Sequence, residues 1–221
     1  MSGLDASSPR VLGDRPERWP VRSSETVFET SRVISVRQDH VQSPADGVDF
    51  LRDVVVHPGA VGIVALDDDE WVLLVSQYRH PVGHRLLEIP AGLLDVPGEP
   101  YPVAAARELY EEGHIRADEW RVLVDVFTSP GMTTESTRVY LARGLSAVAD
   151  GERHVGVHEE ADMPVTWAPL ADLVEAVLAG RLHNPLIVSG VLATWAARLG
   201  DGYDALRPVD APWDAREAQP R

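Results

Sequence analysis

The chain contains no cysteine. That excludes a disulfide framework, a thiolate nucleophile and a zinc–thiolate centre, and it fits a reducing compartment, so a cytoplasmic location is expected. No apolar run reaches the ~18 residues that a membrane-spanning helix requires. The opening MSGLDASSPRVLGDRPERWP has no apolar core of the kind a secretory signal carries. Basic residues are scarce: 20 Lys and Arg face 35 Asp and Glu, a net charge of −15. Such a balance argues against nucleic acid or an anionic membrane surface as a partner, since both attract Lys and Arg. An anionic small substrate stays compatible if a metal ion or local arginines neutralise it. There is no internal repeat, and His57, His80, His84 and His183 show no zinc-site spacing.

At 221 residues the chain suits one domain of ordinary size with a small subdomain. Residues 1–22 are polar and proline-containing, and read as a flexible tail. Glu25–Glu29 and Arg32–Arg37 carry β-formers, Ser43–Gly47 is a turn, and Val48–His57 is a further strand. These segments, 23–57, form a small antiparallel sheet that needs a partner surface. The main domain spans 58–200. It begins with the buried strand Ala60–Leu66, an acidic turn at Asp67–Glu70, and Trp71–Ser76 pairing back on the first strand. After a helix come strands at Trp120–Phe127, Thr137–Arg143 and Val165–Ala168, then helices over Pro169–Gly180 and Asn184–Leu199. Asn184 is the N-cap of the last helix and Pro185 its first position. Residues 201–221 read as a second tail. Trp71, Trp120, Trp167 and Trp195 fall on strand or helix patterns and are expected in the core. Strands and helices mix without regular alternation, which gives an α+β class.

The informative stretch is Gly92–Ile115. A helix starting near Pro100 places Glu108, Glu111 and Glu112, at i, i+3 and i+4, on one face. Like charges so spaced repel, and acids sit poorly at a helix C-terminus. A divalent cation relieves both penalties, because hard cations take carboxylate oxygens. By itself the cluster reads equally as a solvated acidic face.

The stretch resembles the signature of the Nudix hydrolases: glycine, five spacers, Glu, seven spacers, then Arg-Glu-apolar-x-Glu-Glu-x-Gly-apolar. Glu99, Arg107, Glu108, Leu109, Glu111, Glu112 and Ile115 match. Two positions depart. Six residues separate Gly92 from Glu99, and His114 stands where the pattern has glycine, with Gly113 one place earlier as a candidate left-handed cap. From Ser23 to Leu199 the chain is similar to the actinobacterial ADP-ribose pyrophosphatase branch, through Gln77-Tyr78-Arg79-His80, Leu87–Gly92 and Glu159-Glu160-Ala161-Asp162-Met163.

The resemblance implies an α-β-α sandwich with a mixed sheet, and a homodimer that exchanges its N-terminal sheets. It implies two or more Mg2+ or Mn2+ ions per site, held by Glu108, Glu111, Glu112 and the carbonyl of Ala91. Glu160 is the implied base, with Glu159 the fallback. Arg79 would contact the diphosphate or ribose, Glu88 a ribose hydroxyl or the metal site, and Glu135 and a partner-reaching Arg52 would reach the same pocket. Gly92, Glu99 and Arg107 would support the loop and helix. Ile34 stands where the branch often stacks adenine on an aromatic residue, and Phe28 is out of register. The implied reaction is hydrolysis of ADP-ribose to AMP and ribose 5-phosphate. The alternatives are another nucleoside diphosphate-sugar or dinucleotide (ADP-glucose, GDP-mannose, NADH), or a ligand sensor without turnover.

Overall fold

A computed structural model describes residues 12–29, 33–149, 151 and 163–220. The mixed sheet is built on β4 (Ala60–Ala65), whose six residues are all buried. Val61, Ile63 and Ala65 point to one face, Val64 and Leu66 to the other. This is the alternation a strand imposes, and here both faces are apolar because helices cover both. On the first face lies α1 (Tyr101–Gly113), packing Ala104, Ala105 and Leu109. On the second lie α2 (Leu170–Leu178) and α3 (Pro185–Leu199), packing Leu170, Leu173, Ile187 and Val191. The α-β-α sandwich expected from the resemblance is thus observed.

β4 pairs in parallel with β9 (Ser136–Ala147) and antiparallel with β7 (Ala91–Leu93). β9 in turn pairs antiparallel with β8 (Ile115–Phe127). A separate sheet has the order β10 (Val165–Pro169), β5 (Trp71–Arg79), β6 (His84–Glu88). The expected pairing of β5 back onto β4 is therefore corrected. Only a single bridge, Leu66 to Val72, joins them. Glu70 takes a left-handed conformation at φ 63° and turns the chain, and the two strands find their full ladders elsewhere. The N-terminal sheet has the order β1 (Val21–Glu29), β2 (Ser35–Gln42), β3 (Asp49–Val56). β3 is tied to the main body through Val55, which bonds the backbone at Met132 and Thr134.

Three further expectations are corrected. Gly113 is not the left-handed cap. It lies inside α1 against Leu73, and His114 takes the left-handed conformation at φ 53°, its N–H donating to the Tyr110 carbonyl. His114, at the glycine position of the pattern, thus takes a conformation that glycine adopts most readily. Trp71 is exposed, whereas Trp120, Trp167 and Trp195, half-buried, pack against the core as expected.

The largest correction is at the C-terminus. Residues 201–220 are packed against the body and not a tail. β11 (Arg207–Pro208) pairs with β8, Trp213 is 2% exposed, and a short helix, α4 (Asp214–Glu217), follows. Arg138, 1% exposed, holds this segment. It donates to both oxygens of Asp125 and to the carbonyls of Ala211 and Pro212, with its guanidinium over the Trp213 ring at 4.8 Å. A buried arginine needs such saturation of its donors. Among the described residues no helix is long and apolar enough to cross a membrane.

Candidate active site

The site is built where β7 meets α1. Pro100 caps the helix in extended geometry and Pro102 lies in its first turn, where a missing N–H costs nothing. From this start the helix brings Arg107, Glu108, Glu111 and Glu112 round beside β7. Gly92 is the contact point. A Cβ on it would overlap the Glu108 carboxylate, so the strand approaches the side chain only because the position is glycine. One residue earlier, the N–H of Ala91 donates to Glu112 Oε2 at 2.9 Å. Glu108 and Glu112, four residues apart on one face, are thus seated on consecutive residues of one strand.

Arg107 organises the rest. It donates through Nε and Nη2 to both oxygens of Glu99, at 3.1 and 3.0 Å. Its Nη1 donates to Glu108 at 2.6 Å and Glu111 at 3.2 Å. The guanidinium holds the Glu99 carboxyl below its usual range, and Glu99 foremost raises the arginine's own pKa. The expected supporting role of Arg107 and Glu99 therefore has a geometry: one cation ties the Gly92–Glu99 loop to the helix and offsets repulsion within the carboxylate row.

A cavity of about 390 Å3 opens beside Ala91 and Gly92. It is lined by Arg79 and Glu135, both anticipated from sequence, and also by His57, Thr128 and Asn184, which were not. Glu135 accepts a short bond from the Thr128 hydroxyl and lies 3.9 Å from His57 Nδ1. Asn184 caps α3 by accepting from the N–H of Leu186 at 2.8 Å, as expected. Glu88 differs from expectation. It is 1% exposed, and its two oxygens accept from Arg79 Nε and Nη2 at 2.9 and 2.7 Å. Its place is to hold Arg79, and burial leaves it no face for substrate.

Arg52 lies on the exposed N-terminal sheet, its guanidinium 4.3 Å over the Phe50 ring, and it does not line the cavity. Phe28, on β1, and Ile34, just before β2, are both exposed. Glu159 and Glu160 lie outside the described residues.

The donors suit a hard divalent cation in kind: three carboxylates on one helix face, two of them seated on β7. Among the described residues no three acidic or imidazole side chains converge as a ready ligand cluster. Glu108 and Glu111 instead share Arg107, so binding an ion requires their oxygens to exchange partners.

Comparison with known proteins bears on this geometry. The NUDIX domain family matches residues 56–187. An ADP-ribose pyrophosphatase of Mycobacterium tuberculosis is 48% identical over 191 residues, covering 86% of this chain and 89% of that protein. A methanol dehydrogenase activator of Bacillus methanolicus is 32% identical over 168 residues, covering 76% and 88%. Among solved structures, an ADP compounds hydrolase superposes with a TM-score of 0.71 at 23% identity, covering 86% of this chain and 99% of that one. That last likeness speaks for the fold alone.

Proposed function

This chain belongs to the Nudix family, and on that premise we propose that it hydrolyses the diphosphate bond of ADP-ribose, giving AMP and ribose 5-phosphate. The observation that carries the reading is the seating of Glu108 and Glu112 on Gly92 and Ala91, next to a cavity walled by Arg79 and Glu135. The 48% identity to a protein named for ADP-ribose supports the choice of substrate.

Glu108, Glu111, Glu112 and the Ala91 carbonyl would hold Mg2+ or Mn2+, two or more ions per site. When bound, such ions neutralise the diphosphate and acidify a bound water. The chain's own residues do the rest. Glu99 and Arg107 fix the carboxylate row. Arg79, oriented by the buried Glu88, offers a charged donor to a diphosphate oxygen. Glu135, steadied by Thr128, accepts from a sugar hydroxyl. Glu160, with Glu159 as fallback, takes the proton of the attacking water.

The N-terminal sheet supports a homodimer. Val21, Val27, Phe28, Val48 and Leu51 are each about half exposed on a single chain. Apolar side chains left this exposed on and beside a small sheet favour a cover. A second chain exchanging its sheet supplies one and carries Arg52 to the partner's cavity. Arg52→Ala should then raise KM in the dimer, and a fully active monomer would remove that route.

A second reading is hydrolysis of a different nucleoside diphosphate-sugar or dinucleotide: Ile34 offers a stacked base no aromatic face, so nothing at that position selects among these substrates. A panel of ADP-ribose, ADP-glucose, GDP-mannose and NADH with Mg2+ decides between them. ADP-ribose should give the highest kcat/KM, and a low place for it would transfer the proposal to the second reading. A non-catalytic sensor is disfavoured by the complete set of Arg107, Glu108, Glu111 and Glu112.

A further inference from the structure

The C-terminal segment does more than cover apolar surface. Arg216, on α4, sends Nη2 to the carbonyl of Pro58 and Nη1 to Ser136 Oγ at 2.8 Å. Gln219 donates to the Thr134 carbonyl at 3.0 Å. These targets border the cavity residues His57 and Glu135, one residue before or after each. The two strips are also joined directly, because the N–H of His57 donates to Thr134 Oγ1 at 2.9 Å. Arg216 is itself fixed. Its guanidinium lies 5.3 Å from the Trp213 ring and 5.6 Å from Tyr101, and these rings meet edge to face at 5.2 Å.

The turn that Arg216 grips sets the state of His57. The N–H of Gly59 donates to His57 Nδ1 at 3.1 Å. An imidazole nitrogen that accepts carries no proton, so the ring is the neutral tautomer with hydrogen on Nε2. Gly59 has φ +88°, a conformation side chains disfavour, and any Cβ there would collide with the Arg216 guanidinium. The shape of the turn, the missing side chain and the position of Arg216 thus depend on one another. Glu135 faces Nδ1 at 3.9 Å and is engaged by Thr128. Among the described residues, Nε2 has no protein partner.

We propose that Arg216 is a positioning residue: by clamping Pro58 to Ser136 it holds His57 as a preformed Nε2–H donor for a sugar or phosphate oxygen of the substrate. The proposal deepens the function above and rests on it for the identity of the ligand, but the tautomer and the clamp stand without it. Burial keeps the imidazole pKa below its ordinary value. The Arg216 charge adds to that, and Glu135 opposes it.

The test uses the full-length protein with Arg216→Gln, His57→Gln and the double variant. First, 15N NMR of the imidazoles, with His57 assigned by its loss in His57→Gln, should show the Nε2–H form at pH 7. In Arg216→Gln it should show tautomer exchange and a raised pKa. An unchanged His57 signal in a folded Arg216→Gln protein overturns the proposal whatever the substrate proves to be. Second, each single variant should raise KM for ADP-ribose about tenfold, roughly 1.4 kcal/mol, with kcat changed far less. The double variant should be no worse than His57→Gln alone. Additive losses would mean that Arg216 does not act through His57. Should Arg216→Gln fail to fold, Ser136→Ala removes one arm of the clamp, and the same NMR outcomes apply.

Discussion

Replacing Gly92 by alanine tests the seating of Glu108. The position is not in the left-handed region, so no backbone strain enters and the effect is one of space. The added Cβ would overlap Cγ, Cδ and Oε1 of Glu108. Glu108 cannot retreat freely, because it is 9% exposed and its carboxylate is held by Arg107 at 2.6 Å. Overpacking of this kind costs about 1–3 kcal/mol. Reduced freedom of the unfolded chain returns roughly 0.4–1 kcal/mol. The net loss of about 1–2 kcal/mol lowers Tm by about 2–8 °C for a chain of this length. The protein therefore stays folded at 25 °C while its leading metal-binding carboxylate is displaced by the order of 1 Å. Misplacement on that scale is worth about 100-fold in rate. Steady-state hydrolysis at saturating Mg2+, beside a thermal melt, measures both. A Gly92→Ala enzyme within threefold of wild type in kcat/KM would refute the claim that this contact positions Glu108 for catalysis.

Two further outcomes follow from the same geometry. His114 holds a left-handed conformation, and its buried Nδ1 has no partner among the described residues. His114→Gly should stabilise the fold by about 1 kcal/mol, read as a higher urea midpoint; a lower midpoint would show that the side chain supports the cap. Glu99 has its carboxyl pKa depressed by Arg107, so its contribution is present above the unfolded value of about 4.3 and is lost as pH falls through the lower folded value. Glu99→Gln should therefore be less stable than wild type at pH 7, with the gap narrowing as pH falls below the unfolded value. A gap independent of pH would count against the ion pair as its source.

What was legible in the sequence follows a physical division. The carboxylate row, the Asn184 cap and the two-faced burial of Ala60–Ala65 are local features, fixed by spacing along one element, and the Arg107–Glu99 pair joins that helix to the loop just before it. The misjudged features depend on distant partners. β5 was expected on β4, but its ladders go to β6 and β10, and nothing in Trp71–Arg79 encodes that choice. Trp213 and Arg216 sit in an Asp-, Pro- and Ala-rich segment without hydrophobic period. It is held by side-chain bonds from Arg138 and to Pro58, Thr134 and Ser136, and a periodicity search cannot detect such an anchor. The readable signal is a tryptophan and three arginines, Trp213 with Arg207, Arg216 and Arg221, in a segment otherwise resembling a tail. His57 has no zinc-site spacing to another histidine, and its place at the cavity depends instead on Gly59. Glu88, expected to contact substrate, is instead buried against Arg79, a placement that depends on pairing between β5 and β6.

The central claim is that the acidic face of α1 runs a metal-dependent hydrolysis, and Glu112→Gln tests it most directly. The change keeps size and hydrogen-bonding capacity and removes one charge beside the Ala91 N–H. With ADP-ribose and Mg2+, wild type should release AMP and ribose 5-phosphate in equal amounts and stop when the metal is chelated. Glu112→Gln should melt within a few degrees of wild type and lose several orders of magnitude in turnover. A folded Glu112→Gln protein that releases AMP at the wild-type rate would contradict the account.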